Sequence, residues 1–199
     1  MKKTLKETYK DTTKKLIYDT AITLFKEQEY EKITVQKICD NCGIAKGTFY
    51  LNFKSKEDII RISFSNGINS YLIEKMKKMP NLTIREQLVY YLKTCFDYCN
   101  EVGKATTTRA FIFNLNQTLT TQESSLLNQE TRLHLEKIIN TGTSLSIWSN
   151  TYSPEEIHSA IISYILGTMM SWCFSSEDYN INEKCNNIIL QFVDQFISK

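Results

Sequence analysis

Residues 33–60 read ITVQKICDNCGIAKGTFYLNFKSKEDII. Thr34 stands where a helix N-cap belongs, and Val35 and Ile38 follow it one turn apart as an inward face. Cys42-Gly43-Ile44 breaks that pattern, and Gly43 supplies the positive φ that a tight turn needs. A third helix over about residues 45–52 carries Phe49 and Phe53 four apart on one face, leaving Lys46, Thr48, Tyr50 and Asn52 on the others. The small Cys39 lets that helix approach the second one closely. Gly47 costs it about 1 kcal/mol against Ala. That cost makes sense if a side chain there would hold the backbone away from a partner. Ser55-Lys56-Glu57-Asp58 has the form of a capping box, opening a long fourth helix that ends near Met79 before Pro80. The pattern fits a helix-turn-helix that enters a DNA groove, and it equally fits a plain helical hairpin in a bundle.

Upstream, Ile17, Ala21, Leu24 and Phe25 mark one face of a first helix, which stops at Glu29-Tyr30-Glu31-Lys32. Downstream, Thr83-Ile84-Arg85-Glu86 is a second capping box, opening a helix that runs to Gly103. Shorter helical stretches follow near 104–116, and a longer one near 124–146. Ser153-Pro154-Glu155-Glu156 starts another helix with a cap, a first-turn proline and acids at the positive dipole end. It reaches about Phe174, and a last helix spans about 181–197. With only 6 glycines and 2 prolines in 199 residues, the chain is expected to be all-α, with about nine helices. The expected organisation is a three-helix domain over 1–61, with its helix-turn-helix at about 34–53, and a helical domain over 62–199.

The net charge is +2, but it is unevenly spread. Residues 1–61 hold 13 Lys and Arg against 9 Asp and Glu, an excess of four bases; the remainder holds 11 against 13. The N-terminal third is therefore the side that suits an anionic partner. The lysine-rich start lacks an apolar core and is no signal peptide. No run of about 18 uncharged apolar residues suggests a membrane span, so a cytoplasmic, membrane-free protein is expected.

The stretch 33–60 closely resembles the helix-turn-helix of the TetR (tetracycline-repressor) family of bacterial transcription regulators, and the resemblance extends back to about Thr13. It implies that Thr34 and Gln36 meet DNA phosphates, that Lys46, Gly47 and Thr48 meet bases or phosphates, and that Tyr50 hydrogen-bonds a phosphate. Lys56 would do the same from the start of the fourth helix, aided by the helix dipole. Asn52 and Lys54 complete the candidate DNA-binding set. Three residues depart from the common pattern: Glu29 for a glycine, Ala45 for a capping Ser or Thr, and Asn52 for a His or Tyr. The family implies a homodimer on a pseudo-palindromic double-stranded operator, released when a small-molecule effector binds the second domain.

Residues 62–150 are rich in aromatics, which implies a core and, by the resemblance, a ligand cavity within it. Candidate lining residues are Leu88, Tyr91, Leu92, Cys95, Cys99, Phe111 and Phe113, suiting an apolar or aromatic effector, with Arg109, Asn114 and Gln117 available to orient it. Ile161, Ile165, Met169 and Trp172 on one helix and Ile189, Phe192 and Phe196 on the last form apolar stripes, candidates for a two-fold, four-helix dimer interface. Cys39-x-x-Cys42 has no histidine near it, and both thiols read as small apolar fillers. His134 and His158 lie on separate helices with no nucleophile motif, and no glycine-rich phosphate loop is present. No cofactor, metal or catalytic residue is expected. The lysines at 2, 3 and 6 could add a mobile phosphate-binding arm. Rival readings are a DNA-binding protein governed by a protein partner instead of a ligand, and a helical enzyme.

Overall fold

The computed structural model describes residues 5–118 and 128–198, with side chains over 11–115 and 128–198. Among the described residues there are nine α-helices: α1 Leu5–Glu27, α2 Val35–Cys42, α3 Lys46–Tyr50, α4 Lys56–Lys77, α5 Ile84–Val102, α6 Lys104–Thr118, α7 Gln129–Ser144, α8 Pro154–Phe174 and α9 Ile181–Asp194. The only extended pairing among them is a single antiparallel bridge between Trp148 and Ile197. The all-helical expectation holds. Residues 104–118 form one helix where shorter pieces were expected, the last helix stops at Asp194, and part of the helix expected near 124–146 lies outside the described residues, as do Lys2, Lys3 and the side chains of Lys6 and Gln117.

The capping chemistry forms as its residues dictate. Glu86 N–H donates to Thr83 Oγ1 at 3.3 Å while Thr83 N–H donates to Glu86 Oε2 at 2.9 Å. Ser153 and Glu156 repeat the exchange ahead of Pro154 at the start of α8. At the start of α4, Asp58 N–H donates to Ser55 Oγ, but the Asp58 carboxylate reaches one residue further back, to Lys54 N–H at 3.2 Å. It also accepts from Arg61 Nη2 at 3.1 Å.

The chain divides into two compact units, Met1–Ser63 and Phe64–Lys199, with the division inside α4. In the first, Ile17, Ala21 and Leu24 of α1, Ile38 and Cys39 of α2, Phe49 of α3, and Phe53 and Ile59 close one small core. In the second, α5 is the central helix, packed by α6, α7, α8 and α9. Eight of its residues are buried, so it is apolar around most of its circumference. Gly67 of α4 makes room for Tyr98 of α5: a Cβ there would fall 1.9 Å from the phenol oxygen. Asn69 of α4 is buried, and its Oδ1 accepts from Asn128 N–H at 2.9 Å and from Thr131 Oγ1 at 2.7 Å, which fixes the start of α7.

The structure bears on two expectations about side-chain placement. Leu88, Tyr91, Leu92, Cys95, Cys99 and Phe111 are buried, and Phe113 is half-buried. They lie on the buried side of α5 and α6, packed among the surrounding helices. Ile161, Ile165, Met169, Trp172, Ile189 and Phe196 are likewise buried against their own unit, and Phe192 stacks on Tyr164 with centroids 4.1 Å apart. The stripe chosen from the sequence is thus the inner face of α8. Its outer face is also apolar: Ile162, Leu166 and Met170 are half-buried and Phe174 is 80% exposed. By length and composition α8 is the one helix among the described residues that could cross a bilayer, contrary to the expectation that no such segment exists. Its inner face nevertheless packs as an ordinary core helix.

Candidate DNA-binding surface

Helix α2 ends as Gly43 demands. The glycine takes φ 65° and ψ 35°, and its N–H and that of Ile44 donate to the carbonyls of Asp40 and Cys39. Thr34 accepts from Lys37 N–H at 3.1 Å, capping the helix start and leaving its own hydroxyl hydrogen outside that bond. Gln36, also exposed, donates to Asp40 Oδ1 at 2.6 Å. Helix α3 begins at Ala45, whose methyl makes no cap bond. Phe49 is fully buried, with Phe53 6.0 Å and Tyr50 5.4 Å away between ring centroids. With Phe49 and Phe53 anchored inward, Lys46, Gly47 and Tyr50 face solvent, and Leu51 beside them is 79% exposed. Thr48 is half-buried between the two faces.

Gly47 stands in open space on this surface. It sits in α3 with ordinary helical geometry, and a Cβ built on it meets nothing within 4 Å. Packing within the chain therefore does not require glycine, although glycine weakens the helix. We expect Gly47→Ala to raise the melting temperature, by up to about 1 kcal/mol of stability, while weakening operator binding tenfold or more. Thermal unfolding and gel-shift titration on one preparation check both signs.

Three of the expected contacts are occupied differently. Lys56 does not offer its ammonium outward: Nζ donates to Tyr30 O at 2.9 Å and Ile33 O at 2.8 Å and lies 4.0 Å from the Tyr30 ring centroid. It ties the loop before α2 to the start of α4, and Tyr30 Oη donates to Glu57 Oε1 at 2.9 Å beside it. Asn52 turns back, its Nδ2 donating to Thr48 O at 2.8 Å, with Oδ1 buried. Lys54 is exposed, and its backbone N–H is held by Asp58. Lys56→Met should accordingly lower stability by about 2 kcal/mol, the scale of charge-assisted hydrogen bonds, and leave the salt dependence of DNA binding unchanged. Lys46→Ala should do the reverse, lowering the salt slope by about 1 per half-site.

This arrangement, two short helices about a left-handed glycine with a cationic, unobstructed outer face, matches a family model. Residues 17–61 fit the model described as bacterial regulatory proteins, tetR family. Over nearly its whole length the chain is 29% identical to the biofilm operon icaADBC negative transcriptional regulator IcaR of Staphylococcus epidermidis, covering 92% of this chain and 94% of that one. Residues 17–61 are thus similar to the DNA-binding region of the tetR family. Over a shorter stretch the identity is higher: the uncharacterized transcriptional regulator YerO of Bacillus subtilis is 39% identical over 69 residues, 35% of this chain and 22% of that protein. A fatty acid metabolism regulator of the same organism is 34% identical over 40% of this chain and 42% of its own length. These two matches therefore span less than half of either relative. The fold is shared over most of the chain with the transcriptional regulator FadR of Bacillus subtilis, solved with stearoyl-CoA: TM-score 0.60, 21% identity, 91% of this chain and 98% of that one.

Away from the DNA-binding unit, a cleft of about 990 Å³ opens between the α5–α6 corner and the α8–α9 connection, lined by residues that include Val102, Lys104, Arg109, Trp172 and Tyr179. Lys104 Nζ donates to Ser175 O, the cap of α8, at 2.8 Å and to Glu177 O in the α8–α9 connection at 2.6 Å, a cation near the C-terminal end of α8. Of the residues expected from the sequence at a ligand site, Arg109 lines this cleft, while Leu88, Tyr91, Leu92, Cys95, Cys99, Phe111 and Phe113 do not.

Proposed function

We propose that the chain is a cytoplasmic, homodimeric DNA-binding transcriptional regulator, a repressor whose grip on a pseudo-palindromic operator is released by a small molecule, and that it has no enzymatic role. The observation that carries this reading is the open, glycine-bearing outer face of α3, flanked by Lys46 and Tyr50. DNA contacts come from Thr34, Gln36, Lys46, Gly47, Thr48 and Tyr50, with Lys54 at the edge. The negative regulator among the full-length relatives supports repression.

Dimerisation uses the outer face of α8, Ile162, Leu166, Met170 and Phe174, with Ile188 of α9, which is 55% exposed. Only 28% of the apolar window of α8 is buried within the chain, so a second copy would remove a large apolar area from water. The effector enters the cleft at the α5–α6 corner, where Trp172 and Tyr179 suit an apolar or aromatic body. The stearoyl-CoA complex of FadR supports a ligand with a large apolar part. Such a ligand releases DNA only by preferring the non-binding conformation of the protein. A gel shift with the promoter beside the chain's own gene, with and without extract from its cells, tests this reading. A shift abolished by the small-molecule fraction supports it; a shift abolished only by the protein fraction favours a protein-partner mechanism; no shift refutes it.

A further inference from the structure

Helix α2 carries two cysteines one turn apart, Cys39 and Cys42, and both are free thiols. They are the only cysteines in Met1–Ser63, so within that unit each has one possible partner. Cys39 is fully buried in the small core, while Cys42, the last residue of α2, is half-exposed. Helical geometry puts Cα atoms three residues apart at about 5 Å, inside the roughly 4.4–6.8 Å range of disulfides. Their Cβ atoms are about 5–6 Å apart on a regular helix and must close to about 3.8 Å.

The geometry points to a redox site: peroxide converts Cys39 and Cys42 into a disulfide that distorts the last turn of α2 and lowers operator affinity. The affinity effect rests on the DNA-binding reading above; the disulfide does not. The end of α2 is where such a closure costs least, because the helix already stops at Gly43 in the left-handed region. It is also where closure matters most. Cys39 O accepts from Ile44 N–H at 3.1 Å and Asp40 O accepts from Gly43 N–H at 3.3 Å, and these bonds set the turn into α3. Drawing the two sulfurs together pulls Cys39 out of the core contact with Phe49 and its neighbours and shifts those carbonyls.

The chemistry balances without a metal or cofactor. The Cys42 thiolate attacks one peroxide oxygen, the O–O bond breaks, and the products are a sulfenic acid and water once protonated. The Cys39 sulfur then attacks the sulfenic sulfur, the S–S bond forms, and hydroxide leaves with the Cys39 proton as a second water. Two electrons pass from the thiol pair to peroxide, and a dithiol reductant returns them. Burial, then the neighbouring Cys42 and Asp40, push the Cys39 thiol up, and with Cys39 buried and Cys42 half-exposed it is Cys42 that meets peroxide first. Burial also pushes up the thiols of Cys95 and Cys99, the latter to about 12, so they compete poorly for peroxide.

The test treats the full-length reduced protein with hydrogen peroxide, then measures the mass of the peptide holding both cysteines and the affinity for operator DNA. A loss of about 2 Da in that peptide, a fall in affinity of roughly tenfold or more, and recovery of both with dithiothreitol are expected. Cys42→Ser should keep its affinity under peroxide. Two free thiols after treatment, over-oxidation without a link, a disulfide with unchanged affinity, or an equal loss in Cys42→Ser would each overturn the proposal. If the reduced protein binds no operator at all, the DNA-binding reading fails, and the mass measurement still decides whether the disulfide forms.

Discussion

Phe49→Ala should unfold the DNA-binding unit while leaving the second unit folded. Phe49 is fully buried at the centre of a core of about nine side chains. Removing a buried phenyl ring costs about 3–5 kcal/mol, the lost transfer energy plus the cavity left behind. A unit of 63 residues has a total stability of only about 3–9 kcal/mol. The variant should lose most operator binding at 37 °C and show a low-temperature loss of helical signal followed by a normal transition of the remainder. Phe49→Leu, which keeps most of the volume, should restore binding. A variant that stays folded but cannot bind would instead make Phe49 a contact residue and contradict its placement in the core.

Gly142→Ala should be strongly destabilising to the second unit. A Cβ at this position in α7 would fall 2.3 Å from both Cε2 and Nε1 of Trp148. The indole has little freedom to retreat. It is 5% exposed, its Nε1 donates to Ile139 O at 2.7 Å, and its backbone pairs with Ile197. Overpacking of this kind costs about 3 kcal/mol, which for a unit of this size is a fall of roughly 10 °C in melting temperature. Calorimetry, with Trp148 fluorescence as a local probe, checks it. The double variant Gly142→Ala, Trp148→Phe should recover part of the loss.

What the sequence revealed and what it concealed follow one physical division. The caps at Thr34, Thr83 and Ser153, the stop at Gly43 and the inward pair Phe49 and Phe53 were legible because each rests on residues within a turn or two of one another. For Lys56 it is the family resemblance that implies a phosphate contact, with the helix dipole in its favour. The carbonyls of Tyr30 and Ile33 that hold it lie more than twenty residues away and leave no local mark. Gly67 and Gly142 are unremarkable until Tyr98 and Trp148 arrive beside them. Helix α8 misled for a different reason. It is apolar nearly all round, so periodicity could not tell the core face of Ile161 and Ile165 from the outer face of Leu166 and Phe174. In α5, with eight buried residues, periodicity likewise does not separate residues that only pack from residues that could line a cavity.

Two copies of the chain are expected to present α3 to successive major grooves of one operator. Hydroxyl-radical footprinting of the promoter beside the chain's own gene, with the intact protein, tests it most directly. The predicted result is two protected blocks related by a dyad and centred about one helical turn, roughly 34–36 Å, or a multiple of it apart, both weakened by Gly47→Ala. Uniform protection along the fragment, or a single block unaffected by that substitution, would contradict it.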